Sequence, residues 1–151
     1  MKKIMHWILT GWIIALGTGC SGFHRAWRQE VTTNPGYPPS MIEGAWEGEW
    51  ISDSNGHHGR LRCLLTENED GTYTTWYHAK YLKFLGFAYA VEVNSNPSDK
   101  GYSLSGQADL GKLAGGMYHY EGTISDGHFK ATYESKYDDG TFRMTRPLTY
   151  P

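Results

Sequence analysis

Three groups of side chains in this sequence have types and spacings that could do chemistry. His57 and His58 stand in Ser54-Asn55-Gly56-His57-His58-Gly59, just after Asp53, and imidazoles beside a carboxylate can hold a divalent cation. Adjacent residues of an extended chain point to opposite sides, however, and three spaced ligands are not evident. Asp138-Asp139-Gly140 resembles a calcium loop only superficially: the ligand series of an EF-hand is missing, and a hairpin turn explains every residue. Cys63 alternates with Leu61 and Leu65, which makes it a small buried hydrophobe rather than a nucleophile. His119 reads as one half of a solvated cross-strand pair with Glu134, and His78 and His128 have no partner that the sequence identifies. Paired acids, a phosphate loop and a Gly-x-Ser-x-Gly elbow are all missing from the sequence. The expectation is a protein that is not an enzyme, with no metal and no cofactor.

What remains is a set of aromatic residues. Trp50, Tyr118, Tyr120, Tyr133 and Tyr137 offer flat apolar faces with an indole or hydroxyl tip, and the small residues Gly48, Gly106, Ala108, Gly122, Ala131 and Ser135 fall on the same side of their strands. Small residues facing large ones can leave a pocket for a small hydrophobic or amphipathic ligand, with Trp50, Tyr118, Tyr120 and Tyr133 as its lining. Side chains can equally fill such an interior. The protein would then be a structural or interaction module working through loops such as 54–59 and 111–116.

These residues must be positioned by strands. From Gly44 onward the chain runs in short alternating segments rich in Tyr, Thr, Phe and Trp, punctuated by Gly, Asp, Asn and Ser. Eight strands are predicted, over 45–52, 60–67, 72–79, 84–94, 102–110, 117–125, 128–136 and 141–146. A helix over 77–91 is the competing reading, but Phe87, Tyr89, Val91 and Val93 alternate with period two. An Asp126-Gly127 loop sets Ile124 opposite Phe129, Gly122 opposite Ala131, Tyr120 opposite Tyr133 and Tyr118 opposite Ser135. An Asp139-Gly140 loop sets Tyr137 opposite Phe142, Ser135 opposite Met144 and Tyr133 opposite Arg146, continuing one apolar face across three strands. Charged residues such as Glu47, Glu49, Arg60 and Arg62 take the alternate positions, so the outer face is wet and unsuited to spanning a bilayer. Eight meandering strands of this kind close into an antiparallel up-and-down barrel, which leaves no exposed sheet edge.

The 151 residues suit one such domain, over 44–151, and the formal net charge of -2 excludes the general electrostatic attraction behind non-specific nucleic-acid binding. Ahead of it, Lys2 and Lys3 precede an apolar run, Ile4 to Leu16, that is too short and too interrupted to span a membrane, so residues 1–19 read as a secretory signal peptide. Leu16-Gly17-Thr18-Gly19-Cys20 resembles the lipobox of bacterial lipoproteins, with leucine four rather than three places before the cysteine. The resemblance implies that Cys20 becomes the acylated first residue of the mature chain. Ser21, in place of aspartate after the cysteine, implies the outer membrane, facing the periplasm. Residues 20–43, with Pro35, Pro38 and Pro39, read as a flexible linker lifting the domain off the lipid surface.

Gly44-Ala45-Trp46 at the first strand, with Arg146 at the last, resembles the Gly-x-Trp and terminal arginine of calycin barrels, the lipocalins, fatty-acid-binding proteins and avidins. The resemblance implies that Trp46 plugs a closed end with Arg146 packed across it. The lipocalin Thr-Asp-Tyr element is missing, and no arginine and tyrosine pair corresponds to a fatty-acid carboxylate clamp.

Overall fold

The structure, a computed structural model, describes residues 20–33, 40–82, 84–112 and 115–147. The expected signal peptide lies outside them. Eight antiparallel strands, each hydrogen-bonded to its sequence neighbours, form a closed barrel in which β1 also pairs with β8. They are β1 (Gly44–Ser52), β2 (His58–Glu67), β3 (Tyr73–Tyr81), β4 (Leu85–Ser98), β5 (Gly101–Asp109), β6 (Met117–Ser125), β7 (His128–Glu134) and β8 (Asp139–Thr145). The alternation does what it should: Leu61, Cys63 and Leu65, Tyr77 and Ala79, Val91 and Val93, and Phe129, Ala131 and Tyr133 all point into one buried core. Residues 77–82 and 84–91 are strand and turn, not helix.

The β6–β7 hairpin has the expected register, Ile124 opposite Phe129, Gly122 opposite Ala131 and Tyr120 opposite Tyr133. The β7–β8 hairpin does not. Its loop is 135–138, closed by Ser135 N–H donating to Asp138 O at 2.8 Å, and the pairs are Tyr133 with Gly140, Ala131 with Phe142 and Phe129 with Met144. An Asp-Gly pair is a strong local turn signal, but Ser135 Oγ accepts from the N–H groups of Tyr137 and Asp138 and fixes a wider turn upstream. The slip covers an even number of residues, so Phe142 and Met144 still face inward. Tyr137, expected inside, sits in the turn and is 69% exposed.

The second departure is at the N-terminus. Residues 20–33 are not an extended tether but a helix, α1, lying on the outside of the barrel. Phe23, Ala26, Trp27 and Val31 fall on one helical face and pack against Ala45, Leu64, Trp76 and Ala88, an apolar strip on the outer surface of β1–β4. Phe23 stacks on the His78 ring with centroids 5.3 Å apart and meets Trp76 edge-on at the same distance. The Arg62 guanidinium lies 4.8 Å from the Trp27 ring. The charged outer face is thus interrupted by an apolar strip beneath this helix.

Candidate functional site

The two ends of the barrel differ. At the closed end, Gly44 takes a positive φ of 96° as the chain turns into β1, and Trp46 is fully buried. Its Nε1–H donates to Ile42 O at 2.9 Å, and the Arg146 guanidinium lies 3.8 Å from its ring. Arg146 also donates to four carbonyls, those of Glu43 at 2.6 Å, Ala45 at 3.3 Å, Ser40 at 2.9 Å and Met41 at 3.0 Å. Burial pulls its pKa down to about 10, so it remains a cation at neutral pH. Gly44, Trp46 and Arg146 thus come together as one plug, tying the segment 40–43 across the bottom of the barrel.

At the other end the interior stays open. A cavity of about 480 Å³ is walled by Trp50, Tyr118, Tyr120 and Tyr133, together with Tyr81, Phe87, Tyr89, Asp138 and Phe142. Its volume lies within the roughly 300–1,000 Å³ that small-molecule pockets occupy. The rings form a continuous wall, with Tyr118 6.2 Å from Tyr120 and 6.0 Å from Tyr133, and Tyr133 5.1 Å from Phe142. Most polar tips are already engaged. Trp50 Nε1–H donates to Lys80 O at 2.9 Å, while Ser52 Oγ at 2.5 Å and the Tyr133 hydroxyl at 3.3 Å both donate to the Asp138 carboxylate. Burial raises the pKa of Tyr133, with the Asp138 charge adding to it, and burial likewise raises those of Tyr77, Tyr89 and Tyr120. Tyr89, Tyr120 and Tyr133 therefore stay uncharged at neutral pH, and no arginine or lysine side chain stands among the described lining residues.

All four residues proposed from sequence as lining meet in this cavity, but the expected origin of the space is different. None of the small residues singled out from sequence lines it, and Ala79 on β3 is the small inward residue that does. A Cβ on Gly48 would fall 1.9 Å from Arg143 O, and one on Gly106 2.4 Å from Glu92 O, so these glycines let neighbouring strands approach closely. The cavity comes instead from aromatic residues that lean against one another around a wide mouth. Beside that mouth the β4–β5 ladder runs only from the Val93–Gly106 pair to the Ser98–Gly101 pair, which leaves the upper half of β4, including Phe87 and Tyr89, paired on the β3 side. Sequence reasoning passed over Tyr81, Phe87, Tyr89, Phe142 and Asp138 as lining. Alternation marked several of them as inward, but only the closed sheet shows which inward residues share a level.

The remaining candidates are dispersed. His57 contacts the Tyr81 hydroxyl at 3.2 Å, and His58 faces Gly56 O at 3.3 Å. Among the described residues no three His, Cys, Asp or Glu side chains gather as a cation site. His119 pairs with Glu134 across β6 and β7. Cys63 is fully buried, and burial pushes its thiol well above the ordinary range, which leaves it inert. Cys20 begins the described part of α1, with its Sγ 3.6 Å from Gly86 O. A larger depression, about 1030 Å³, lies on the outer face between β1, β2 and β8, but Glu47, Glu49, Arg60, Lys130 and Arg143 line it in open solvent. The chain matches no protein-family model, and comparison with curated proteins and with solved structures finds nothing similar to it.

Proposed function

We propose that this is a lipid-anchored cell-envelope protein whose calycin-like barrel binds a small hydrophobic or amphipathic ligand. The observation that carries the reading is the aromatic cavity of about 480 Å³ at the open end, facing a plugged closed end. A ligand there gains contact with apolar rings whose hydroxyl and indole groups are already largely satisfied, so binding strands few polar groups. Asp138, with no arginine or lysine among the described residues lining the cavity, favours a neutral or amine-bearing amphiphile over a fatty-acid anion. Support for the anchor comes from the lipobox-like sequence before Cys20, which implies acylation there and attachment to the outer membrane on the periplasmic side. The calycin likeness is supported by the arrangement of Gly44, Trp46 and Arg146.

The test is titration of the soluble chain, residues 21–151, with the neutral dye Nile red, followed by competition with dodecanol, dodecylamine and dodecanoate. Saturable one-to-one uptake is expected, with dodecanol and dodecylamine displacing the dye better than dodecanoate. Trp50→Ala and Tyr120→Ala should each weaken uptake about tenfold, the consequence of losing roughly 1.4 kcal/mol of contact. Absence of saturable uptake, with Trp50→Ala indistinguishable from the parent, would instead favour an interaction module with a filled interior.

A further inference from the structure

The large apolar side chains left in solvent are not scattered. Leu82, Phe84, Leu85, Phe87, Met117 and Tyr137 all stand around the open mouth, and of the described exposed large hydrophobics only Met41 lies elsewhere. Phe84 is 78% exposed at the turn between β3 and β4, where nothing in the fold requires a phenylalanine. Such a concentration marks a surface that is covered in use. Lys80, Lys112 and Lys136 belong to the same end of the barrel, with the Lys136 ammonium 5.2 Å from the Tyr137 ring, but Asp53, Asp109, Glu134 and Asp139 stand at that end too, so the apolar tips and not a net positive charge set its character. Apolar tips backed by lysines suit a bilayer surface, where the rings enter the headgroup boundary and the ammonium groups meet lipid phosphates.

The helix says which way the barrel is held. Cys20, at the start of the described part of α1, lies against Gly86, between Leu85 and Phe87 on this rim. From there the helix runs about 20 Å, at 1.5 Å per residue, down the outside of the barrel. Its far end, at Glu30 and Thr33, lies beside Glu43, Gly44 and Thr66 at the closed end. Phe23 and Trp27 are buried against the sheet, so this segment is a strut and not a leash.

We propose that the open mouth of the barrel is seated on the lipid bilayer, with the exposed rim residues in its headgroup boundary and the cavity opening toward the membrane. This rests on the acylation of Cys20 given above: acyl chains on that residue leave the protein at the rim, and a docked α1 keeps the rim, and not the closed end, next to the lipid surface. A cavity opening there takes its ligand from the bilayer, in keeping with an apolar wall.

The experiment uses the full chain, purified with its acyl chains and reconstituted in vesicles of phosphatidylethanolamine and phosphatidylglycerol at about three to one, a composition rich enough in anionic lipid to engage lysines. An environment-sensitive fluorophore is placed on Phe84→Cys or, as the control at the closed end, Ser125→Cys, and mass spectrometry reads acylation at Cys20. A blue-shifted label at 84, protected several-fold from iodide and quenched by nitroxide on the lipid chains, beside an unprotected label at 125, is the expected result. In the Leu82→Asp, Leu85→Asp double variant a label on Tyr137→Cys should return to water, with Nile red uptake and Cys20 acylation unchanged. An acylated, vesicle-bound protein whose label at 84 stays in water overturns the seating while leaving the anchor intact. Burial of that label without vesicles, growing with protein concentration, also overturns it and assigns the rim to a second copy of the chain. Protection at 84 in a chain that carries no acyl group upholds the seating and refutes the anchor.

Discussion

The closed and open ends of this barrel are built from the same kinds of residue and behave in opposite ways. Each has a tryptophan on β1 whose indole donates to a backbone carbonyl, Trp46 to Ile42 O and Trp50 to Lys80 O, both at 2.9 Å. What separates them is what crosses the axis. At the closed end the segment 40–43 passes beneath Trp46 and Arg146 ties its carbonyls down, so Trp46 is fully covered and the strap is held by four hydrogen bonds. At the open end the tyrosine rings pack against each other around empty space. Aromatic content alone therefore does not decide whether a barrel end is plug or pocket. A cation with enough donors, and a strap of chain for it to hold, decides it.

The largest effect is expected from breaking the plug. Trp46→Ala removes a fully buried indole and should cost about 4 kcal/mol of stability, as large-to-small core changes of aromatic residues do. A shift of the urea midpoint checks it. Arg146→Met leaves carbonyls of the strap without their donor and should cost roughly 3 kcal/mol. Arg146→Lys should recover only part of this, since one ammonium cannot span four carbonyls as the guanidinium fork does. The matching change at the other end, Trp50→Ala, should cost no more than about 2 kcal/mol, because Trp50 is only half-buried, while dye uptake suffers most. Equal stability losses for Trp46→Ala and Trp50→Ala would erase the distinction between the ends.

A smaller effect concerns the strut that links them. Burial, with His24, Lys80 and Arg62 nearby, holds the His78 pKa down to about 4 against an ordinary 6.5, and His24, whose ring lies 4.6 Å away, is lowered by the same kinds of neighbour. Both rings are neutral in the docked helix at pH 7. Once α1 lifts away, the burial and the His24 contribution are relieved while Lys80 and Arg62 stay on the sheet, so His78 regains much of its affinity for protons and between pH 6.5 and 4 the undocked form binds more of them. Acid then favours undocking, by up to about 2 kcal/mol between pH 7 and pH 5. Hydrogen exchange of the α1 amides should speed up over that range, and His78→Phe should flatten the dependence. A pH-independent exchange rate would show that docking does not bury this imidazole.

These contrasts explain what could be read from the sequence. The strands, the barrel and the inward set were legible because period two persists from Ala45 to Met144, and the plug was legible because Gly44, Trp46 and Arg146 carry a pattern. The β7–β8 register was not, since an Asp-Gly pair outweighs the Ser135 turn locally and only the rest of the sheet corrects it. The helix was missed for a related reason. Phe23, Trp27 and Val31 recur at four-residue spacing, but the short run is embedded among Arg25, Arg28, Gln29 and Glu30. Its partner strip of Ala45, Leu64, Trp76 and Ala88 exists only once four strands lie side by side. Small inward residues looked like the makers of the cavity because sequence shows side-chain size but not how near the neighbouring backbone comes.

The finest test asks whether the open end is closer to satisfied or to waiting. Tyr133 donates to Asp138 at 3.3 Å, a long contact, and Asp138 keeps the shorter bond from Ser52 at 2.5 Å whether or not that phenol is present. Tyr133→Phe should therefore cost only about 1 kcal/mol, the ordinary worth of one hydrogen bond, and not the larger penalty of an orphaned buried carboxylate. Its effect on binding separates two kinds of ligand. A dye held by ring contact alone should bind Tyr133→Phe as well as the parent, because the ring remains. Dodecanol or dodecylamine should bind the variant a few-fold more tightly if its head reaches Asp138, which then has an acceptor position free, and equally if it does not. Calorimetric titration of the two proteins with one alcohol and one neutral dye tells these apart, and a loss of affinity for both would mean that the Tyr133 hydroxyl, not the aromatic wall, does the recognising.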